Sequence, residues 1–448
     1  MASISCLPEE IQAYILSKLN GHAAAMCKKV CRLWKELIEG LETCMHFWLR
    51  CCLKEIPLSS LAQFARLTDV DEEFVKIFRS LARDYQFHYT SQIPWQFWRE
   101  VYAEHYRCSY IVTGKAKISE FPCYQSPGEV SCVCVQDNVV YTGHDSGAVM
   151  SLCSTDSGLK VDMLYRHHKR VTDICFLNSV SIRQLLSGDT LNVVVTCSKD
   201  GCVILYNPDT QRSTTVQHYS KQVNQIRSWG QHLVAAANRS LLQGQPVWKF
   251  NQSDHSIDIT CTLYSQSPAN ITAVALWGNM VVSGDACGRV FVRDWLGCCG
   301  DQVMTQVTYL GSRVRSIFVV GKRIICYTDD MLHISQSLGA TSPGNMKFEA
   351  IDIYHPLRKV SECVAIRGPV LAIGFRPGFV HVYHMPDDSS WDSLQLERPA
   401  QVIRLARDHV HALDIADNGT GPVIAAATED HCVYLITMER SGTMTTSV

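Results

Sequence analysis

The stretch VSCVCVQDNVVYTGHDSG, residues 130–147, sets the pattern for most of the chain. It opens on apolar residues at the spacing i, i+3, i+5, namely Val130, Val133 and Val135. A second β-rich run over 139–143 ends in small residues, and residues 145–147 (Asp-Ser-Gly) then supply a turn. Asp and Gly provide the positive-φ positions that tight hairpins require. The stretch therefore predicts two antiparallel strands and a hairpin that leads into a third.

The same unit recurs between residues 109 and 440. Seven runs open on an apolar β-branched residue, and successive openings lie 41 to 52 residues apart. Five of them keep the i, i+3, i+5 spacing, the sixth does so with the smaller Cys363 and Ala365, and the third breaks at Ser228. Third strands such as 203–206 and polar fourth strands such as 160–165 complete the unit. The seven openings are Val130, Val171, Val223, Ile271, Val314, Val360 and Val410.

A four-strand unit at this spacing is typical of a β-propeller blade and resembles the WD type. An all-β sandwich is the alternative, but it would not explain why seven runs recur at similar separations. Because a ring closes only if its ends meet, we expect the strand around 110–121 to complete the last blade, formed by 409–437. The resemblance to WD repeats is divergent, since Arg293-Asp294-Trp295 is the nearest match to a Trp-Asp ending. We predict a seven-bladed WD-type β-propeller over 109–440.

The N-terminal 53 residues carry helical patterns instead. Pro8 suits a first helical turn, and apolar residues follow at four-residue spacing. We expect Asn20-Gly21 to end the first helix, and Gly40 to end a second helix that starts near Met26. So much apolar surface is hard to hide within about fifty residues. The segment is either a bundle packed on its own chain or a docking module for another protein's groove.

Residues 54–108 predict a helical linker. Phe74, Ile77, Phe78 and Leu81 have helical spacing, and a second helix follows Pro94. Its stripe of Trp95, Trp98, Val101, Tyr102 and His105 is more typical of a core than of a ligand site. We expect this segment to join the N-terminal helices rigidly to the propeller, since a flexible linker would be rich in Gly and Ser. The chain as a whole is thus predicted to be α+β and multidomain, with an all-α N-terminal part and a tail at 441–448.

Composition and motifs argue against several classes of function. The formal charge of the 448 residues is −2, which does not indicate binding to nucleic acid. The sequence contains no apolar run of about 18 residues, so no membrane span is predicted. The N-terminus has no basic region typical of a signal peptide, so the 21 cysteines are expected to be reduced thiols in the cytoplasm or nucleus. The sequence contains no C-x-x-C pair and no nucleotide-binding or hydrolase motif. We expect no metal, no cofactor and no catalytic residue.

Basic residues precede the innermost strands or lie in the hairpins that follow. In a propeller several of them would converge on one rim, where Arg pairs can bind a phosphate or an acidic segment. Ordinary solvated loop charge is the alternative. At the C-terminus, Thr446-Ser447-Val448 matches peptides that PDZ domains accept, but any chain ending in x-Thr-x-Val does so, and a disordered tail is the default. The candidate substrate-binding residues are Arg170, Lys221, Arg239, Arg313, Arg358, Arg376 and Arg407.

Three segments, 7–11 (LPEEI), 15–19 (ILSKL) and 30–37 (VCRLWKEL), resemble an F-box in order and spacing. With the repeats behind them, the chain resembles the F-box/WD-repeat family. That resemblance implies a non-catalytic substrate receptor of an SCF ubiquitin ligase, in which the F-box binds Skp1, and through it cullin and a RING subunit, while the propeller holds a protein substrate for ubiquitination. A propeller scaffold that binds Skp1 or another helical partner without ubiquitin transfer is the alternative. The F-box residues expected at Skp1 or in the F-box core are Leu7, Pro8, Ile11, Ile15, Leu16, Leu19, Val30, Leu33, Trp34 and Leu37.

Overall fold

A computed structural model shows helices at the N-terminus followed by seven four-stranded sheets. The described residues are 7–43, 46–65, 95–122, 127–155, 158–179, 191–218, 221–229, 232–251, 254–277, 280–294, 305–321, 323–329, 331–336, 346–405 and 408–440. Several predictions fall outside them: the helix around 74–81, the Trp of 293–295, Arg407 and the C-terminal motif at 446–448.

Within the described residues, the helices precede the propeller, apart from two short ones in its loops. The helix predicted after Pro94 is confirmed, and Trp98, Val101 and Tyr102 of its apolar stripe are buried. The helices are α1 (Glu9–Ser17), α2 (Gly21–Cys27), α3 (Arg32–Thr43), α4 (His46–Glu55), α5 (Leu58–Ala65), α6 (Trp95–Cys108), α7 (Tyr110–Thr113), α8 (Tyr354–Leu357) and α9 (Asp388–Asp392).

The strands form seven antiparallel blades, which confirms the predicted propeller. Blade 1 is β2 (Val130–Gln136), β3 (Val139–His144), β4 (Ala148–Thr155) and β5 (Gly158–Arg166). Blade 2 is β6 (Val171–Ser179), β7 (Leu191–Ser198), β8 (Cys202–Asn207) and β9 (Arg212–His218), and blade 3 is β10 (Val223–Trp229), β11 (His232–Ala237), β12 (Ser240–Asn251) and β13 (Asp254–Gln266). Blade 4 is β14 (Ile271–Trp277), β15 (Met280–Asp285), β16 (Arg289–Asp294) and β17 (Thr305–Tyr309).

The remaining three blades complete the ring. Blade 5 is β18 (Ser316–Val320), β19 (Arg323–Tyr327), β20 (Met331–Ser335) and β21 (Phe348–Asp352). Blade 6 is β22 (Ser361–Arg367), β23 (Val370–Phe375), β24 (Phe379–His384) and β25 (Gln401–Arg404). Blade 7 combines β26 (Val410–Asp417), β27 (Pro422–Thr428) and β28 (Cys432–Arg440) with β1 (Gly114–Pro122) from the start of the propeller.

The predicted closure of the ring is confirmed. Strand β1 pairs antiparallel with β28 along its whole length, from Gly114 opposite Arg440 to Pro122 opposite Cys432. Phe121 is 1% exposed and packs in a core shared by blades 7 and 1. The N-terminal strand of the propeller therefore covers the edge that β28 would otherwise expose.

A repeated β-bulge joins neighbouring blades. In six blades the pairing shifts by one residue at the second residue of the innermost strand. The side chain at that position reaches the opening residue of the next blade in most cases, as Ser131 Oγ does to Val171 O (2.6 Å) and Thr272 Oγ1 to Val314 O (2.6 Å). His411 Nε2 closes the circle on Val130 O at 2.6 Å. The bulged residues are Ser131, Thr172, Asn224, Thr272, Glu362 and His411.

Polar side chains also satisfy backbone N–H groups along the channel at the centre of the ring. Asp173 accepts from the N–H of Ile226 (3.0 Å), and Asp414 accepts from that of Val135 (2.8 Å). Burial raises the pKa of both carboxyl groups, although these hydrogen bonds act in the opposite direction. Because the innermost strands have no strand neighbour on the channel side, such groups would otherwise depend on water.

Several boundaries differ from the sequence-based expectation. The helix expected to start near Met26 is divided in two, since Met26 lies in α2 and α3 begins at Arg32. Asn20 is extended rather than left-handed, and its side chain caps α2 by accepting from Ala23 N at 2.6 Å, so Asn20-Gly21 starts a helix instead of ending one. Gly40 lies inside α3 and does not end it. In the sixth repeat, Ser361 and not Val360 takes the register position of Val130, opposite the last residue of the second strand.

His381 makes the fold sensitive to acid. Its side chain is 4% exposed and lies 2.9 Å from Lys359 Nζ, and burial, together with the charge of Lys359, lowers its pKa to about 4. Below pH ~6.5 His381 becomes protonated in the unfolded chain but stays neutral in the folded chain. Protonation therefore favours unfolding, and the free energy of unfolding falls as the pH drops below ~6.5. We expect His381 to remove about 1.5 kcal/mol of unfolding free energy between pH 6.5 and pH 5, since the loss per pH unit rises toward about 1.4 kcal/mol only once the unfolded histidine is mostly protonated.

Urea unfolding at several pH values measures this loss, with His381→Gln as the comparison. The variant should show a shallower decline of unfolding free energy over this pH range. Burial also lowers the pKa of His144, His167, His333 and His384, so part of the decline should remain. An unchanged slope in His381→Gln would contradict the prediction.

Candidate functional site

Helices α1 and α3 share a small polar centre. Gln12 is buried on α1, where its Oε1 accepts from the Trp34 indole (2.8 Å) and its Nε2 donates to Leu7 O (2.8 Å). Leu16 and Ile38 are buried beside it, while Trp34 is only partly covered. The hydrogen bonds fix α3 against α1 and hold the chain that leads into α1.

The ten predicted F-box residues divide between core and surface. Leu16 is buried, Leu19, Trp34 and Leu37 are half-buried against the core, and Ile15 and Leu33 are also half-buried. Leu7, Pro8, Ile11 and Val30 are exposed. The structure adds Tyr14 and Met26, whose exposures of 61% and 44% were not anticipated.

We define the apolar face as Leu7, Ile11, Tyr14, Met26 and Val30. Leu7, Ile11 and Tyr14 follow one another at i, i+4, i+7, so they lie along one side of α1 and the turn before it. The face remains 38–63% exposed in the isolated chain. Exposed apolar side chains that follow one another along a helix, as Leu7, Ile11 and Tyr14 do, mark an interaction site more often than isolated ones do. The spacing could have identified Tyr14 from the sequence.

Helix α2 is bound to the linker through its N-terminus. The backbone N–H of Gly21 donates to Glu55 Oε1 (3.2 Å), that of His22 donates to Tyr102 Oη (3.0 Å), and Tyr102 donates to Glu55 Oε2 (2.7 Å). A carboxylate at this end of a helix is favoured by the helix dipole. A Cβ on Gly21 would lie 2.5 Å from the Tyr102 ring and 2.8 Å from Trp48, so only glycine permits this approach.

Ion pairs fix α6 to the propeller. Arg107 makes a bidentate contact with Asp417 of blade 7, with its Nη2 2.7 Å from Oδ1 and its Nε 3.0 Å from Oδ2. Arg367 of blade 6 lies 2.6 Å from Glu104. These four side chains are largely shielded from water, and bidentate pairs of this type are directional. The apolar face is therefore carried on a helical unit with a defined orientation to the ring.

Helix α5 lies at one mouth of the central channel. Gln63 and Phe64 line a cavity of about 410 Å³ together with residues from the innermost strands. Phe64 packs on Gly368, whose φ of +54° and lack of a Cβ allow the contact. We call the ring face contacted by α5 and α6 the lower face. The opposite, upper face carries the loops that enter the innermost strands.

The upper face collects the predicted basic residues. Six of the seven lie in its loops: Arg170 on blade 2, Lys221 and Arg239 on blade 3, Arg313 on the approach to blade 5, and Arg358 and Arg376 on blade 6. All six are exposed. Arg376 is paired with Glu362, whereas the other five have no ion-pair partner within the described ranges.

Charge is unevenly distributed over the upper face. The loops of blades 2 and 3 expose Lys169, Arg170, Lys199, Lys221 and Arg239, which we call the basic sector. Blade 7 instead presents Asp408, Glu429 and Asp430, with His409 Nδ1 3.1 Å from Glu429 Oε2. An extended ligand crossing this face would therefore be oriented by its charges.

Comparison with known families identifies the N-terminal helices. The F-box domain profile matches residues 4–45, which cover α1, α2 and α3 and the whole apolar face. The chain carries an F-box. Behind the F-box stands the seven-bladed propeller, so the protein is an F-box/propeller protein. F-box domains generally bind Skp1.

Of two similar solved structures, the first supports the propeller fold and nothing beyond it. The β-propeller domain of Cps50 (Swd1) from Myceliophteria thermophila aligns over 71% of this chain and 99% of its own, at 11% identity and a TM-score of 0.51. The computationally designed protein Ika8 aligns over 69% of this chain and 96% of its own, at 15% identity and a TM-score of 0.43. No curated protein matches the sequence. Within the described part of the chain, no helix has the length and apolar character to cross a membrane.

Proposed function

We propose that this F-box/propeller protein is a substrate receptor of an SCF ubiquitin ligase and a member of the F-box/WD-repeat family. The observation that carries the proposal is an F-box whose apolar face is exposed while the rest of its helices are packed on the linker and, through it, on the propeller. A face of this kind requires a partner, and Skp1 is the usual partner of an F-box.

Blade 2 supports the assignment to the WD family. His167 lies buried before the innermost strand, with its Nε2 2.8 Å from Thr196 Oγ1 and its Nδ1 3.5 Å from Asp200 Oδ2. Burial lowers the pKa of His167, which favours its neutral form, although Asp200 acts in the opposite direction. This His, Thr and Asp arrangement resembles the hydrogen-bond set of regular WD blades, with the Tyr165 hydroxyl (2.9 Å from Thr196 Oγ1) as a further member.

In this proposal the chain performs no bond chemistry. The F-box binds Skp1, which connects it to cullin, a RING subunit and a ubiquitin-charged E2. The propeller holds the target, and the connection raises the effective concentration of target lysines at the E2. The ion pairs of Arg107 and Arg367 fix the direction in which the upper face points relative to the F-box. The cytoplasm or nucleus is the compartment where this complex would act.

Two measurements test the proposal. Skp1 and cullin should co-purify with the full chain, and proteins captured by the propeller should accumulate in cells when the F-box is inactivated. Capture of Skp1 without any change in the ubiquitination or lifetime of captured proteins would favour a scaffold. Absence of Skp1 would overturn the proposal altogether.

The basic sector predicts targets with an acidic segment. We expect Arg170→Glu/Lys221→Glu to weaken capture of those accumulating proteins by about 100-fold, because two exposed attractive charges become repulsive. Immobilised full chain and quantitative mass spectrometry measure the capture. Lys115→Glu/Lys117→Glu on β1 makes the same change of net charge away from the upper face and should leave capture unchanged. If both double variants weakened capture equally, the loss would reflect the net charge of the protein and not a binding surface on the upper face.

A further inference from the structure

Strand β5 is the outermost strand of blade 1, and none of the described strands pairs with its outer edge. It runs from Gly158 to Arg166 without proline, and its pairing with β4 is regular from Gly158 to Met163, before a bulge near Leu164. Long regular edges invite pairing with another strand, and natural proteins usually shorten or interrupt them.

One side of β5 is apolar and exposed. Leu159, Val161 and Met163 alternate along the strand, so they project from the same face of the sheet. They are 50%, 48% and 63% exposed. Among the outer strands whose side chains are described, no other exposes three alternating apolar residues. The opposite side carries Lys160 and Asp162, which lie 2.7 Å apart in the single chain.

Two copies of β5 can pair antiparallel with complementary residues opposite each other. In an antiparallel pair centred on Val161, residue i faces residue 322 − i of the other copy, so Val161 faces the partner's Val161. Leu159 then faces the partner's Met163, and Lys160 faces the partner's Asp162. On one face of the sheet apolar side chains then lie opposite apolar side chains, and on the other face two Lys–Asp pairs form between the copies. A register shifted by one residue would lose both matches.

We propose that two copies of this chain associate through β5 and form an eight-stranded sheet across a two-fold axis. The charge and apolar complementarity of the register identifies a second copy as the occupant of this edge. A two-fold axis perpendicular to the sheet reverses strand direction, so the upper faces of the two rings point in opposite directions. The inference does not depend on the proposed function, since β5 lies on the outer rim of the ring, apart from the F-box helices.

Charge reversal with rescue tests the pairing. Sedimentation of the full chain should show a dimer at micromolar concentration. Lys160→Asp, or Asp162→Lys, should weaken the dimer by about tenfold or more, because each places like charges opposite each other twice. The exchange Lys160→Asp/Asp162→Lys restores both pairs and should restore the dimer. Circular dichroism and thermal melting confirm that each variant is folded.

Cysteine substitution tests the register. Val161→Cys should form an intermolecular disulfide on mild oxidation, because residues directly opposite in an antiparallel pair lie about 4.5–5.5 Å apart. Leu159→Cys alone should not, since it faces the partner's Met163, whereas Leu159→Cys mixed with Met163→Cys should cross-link. Wild-type chain corrects for disulfides of native cysteines. A monomer at all concentrations, or a dimer insensitive to these changes, would overturn the proposal.

Discussion

Ile11→Asp should weaken binding of Skp1 to the full chain by at least about 100-fold. The side chain is 47% exposed and lies between Leu7 and Tyr14 on the apolar face, so the substitution places a carboxylate where the partner would cover it. An unpaired charge in an apolar interface costs about 3 kcal/mol or more, and each 1.4 kcal/mol is a factor of ten in affinity. Calorimetric titration of purified Skp1 into wild type and variant measures the change.

Two comparison variants show whether the loss of Skp1 affinity arises at the apolar face. Val112→Asp changes a residue of α7 that is similarly exposed, at 54%, but lies outside the F-box, so Skp1 affinity should not change. Ile38→Asp places the same charge at a fully buried F-box position and should unfold the bundle, which circular dichroism detects. If Ile11→Asp remains folded and binds Skp1 as wild type does, the apolar face is not the docking surface.

The sequence predicts the F-box more clearly than it predicts which residues face outward. Residue types and spacing identify the segments around Leu7, Ile15 and Trp34. Their distribution between core and surface depends on contacts with α4 and α6, which are far away in the sequence. Leu16 turns inward and belongs to the same core cluster as Trp48 and Tyr102, whereas Tyr14, omitted from the predicted set, turns outward.

The error at Asn20-Gly21 has the same origin. Local preference suggests that this pair ends α1, since Asn and Gly both tolerate left-handed backbone. The structure uses Asn20 as an N-cap and Gly21 as the point where Tyr102 and Trp48 approach the backbone. A contact 81 residues away along the chain is invisible to a local rule.

The propeller is predictable because its signal is repeated. Most opening residues, such as Val130 and Ile271, begin a strand that must lie against two neighbouring blades, so a similar apolar spacing recurs around the ring. The polar residue that follows, as in Ser131 or Thr272, also recurs, but its role in bonding the next blade becomes evident only with the β-bulge. The basic residues are brought to one face by topology alone, whereas their pairing, as of Arg376 with Glu362, is set by side-chain contacts.

Phe121→Ala should cost about 3–5 kcal/mol of unfolding free energy, the usual range for a fully buried phenylalanine. Phe121 lies on β1, 1% exposed, and fills the core between blades 7 and 1 where the two ends of the ring meet. Its loss removes apolar burial and leaves a cavity at the one sheet that joins the two ends of the propeller sequence. Denaturant unfolding followed by tryptophan fluorescence measures the change.

Ile118→Ala on the same strand is the matched control, because Ile118 is 43% exposed and should cost about 1 kcal/mol or less. A large loss for Phe121 with a small loss for Ile118 means that β1 contributes through the core between the two blades. Similar small losses would show that β1 is held only by its hydrogen bonds to β28. In that case the ring would be closed by backbone pairing alone, and blade 7 would keep its stability without the contribution of Phe121.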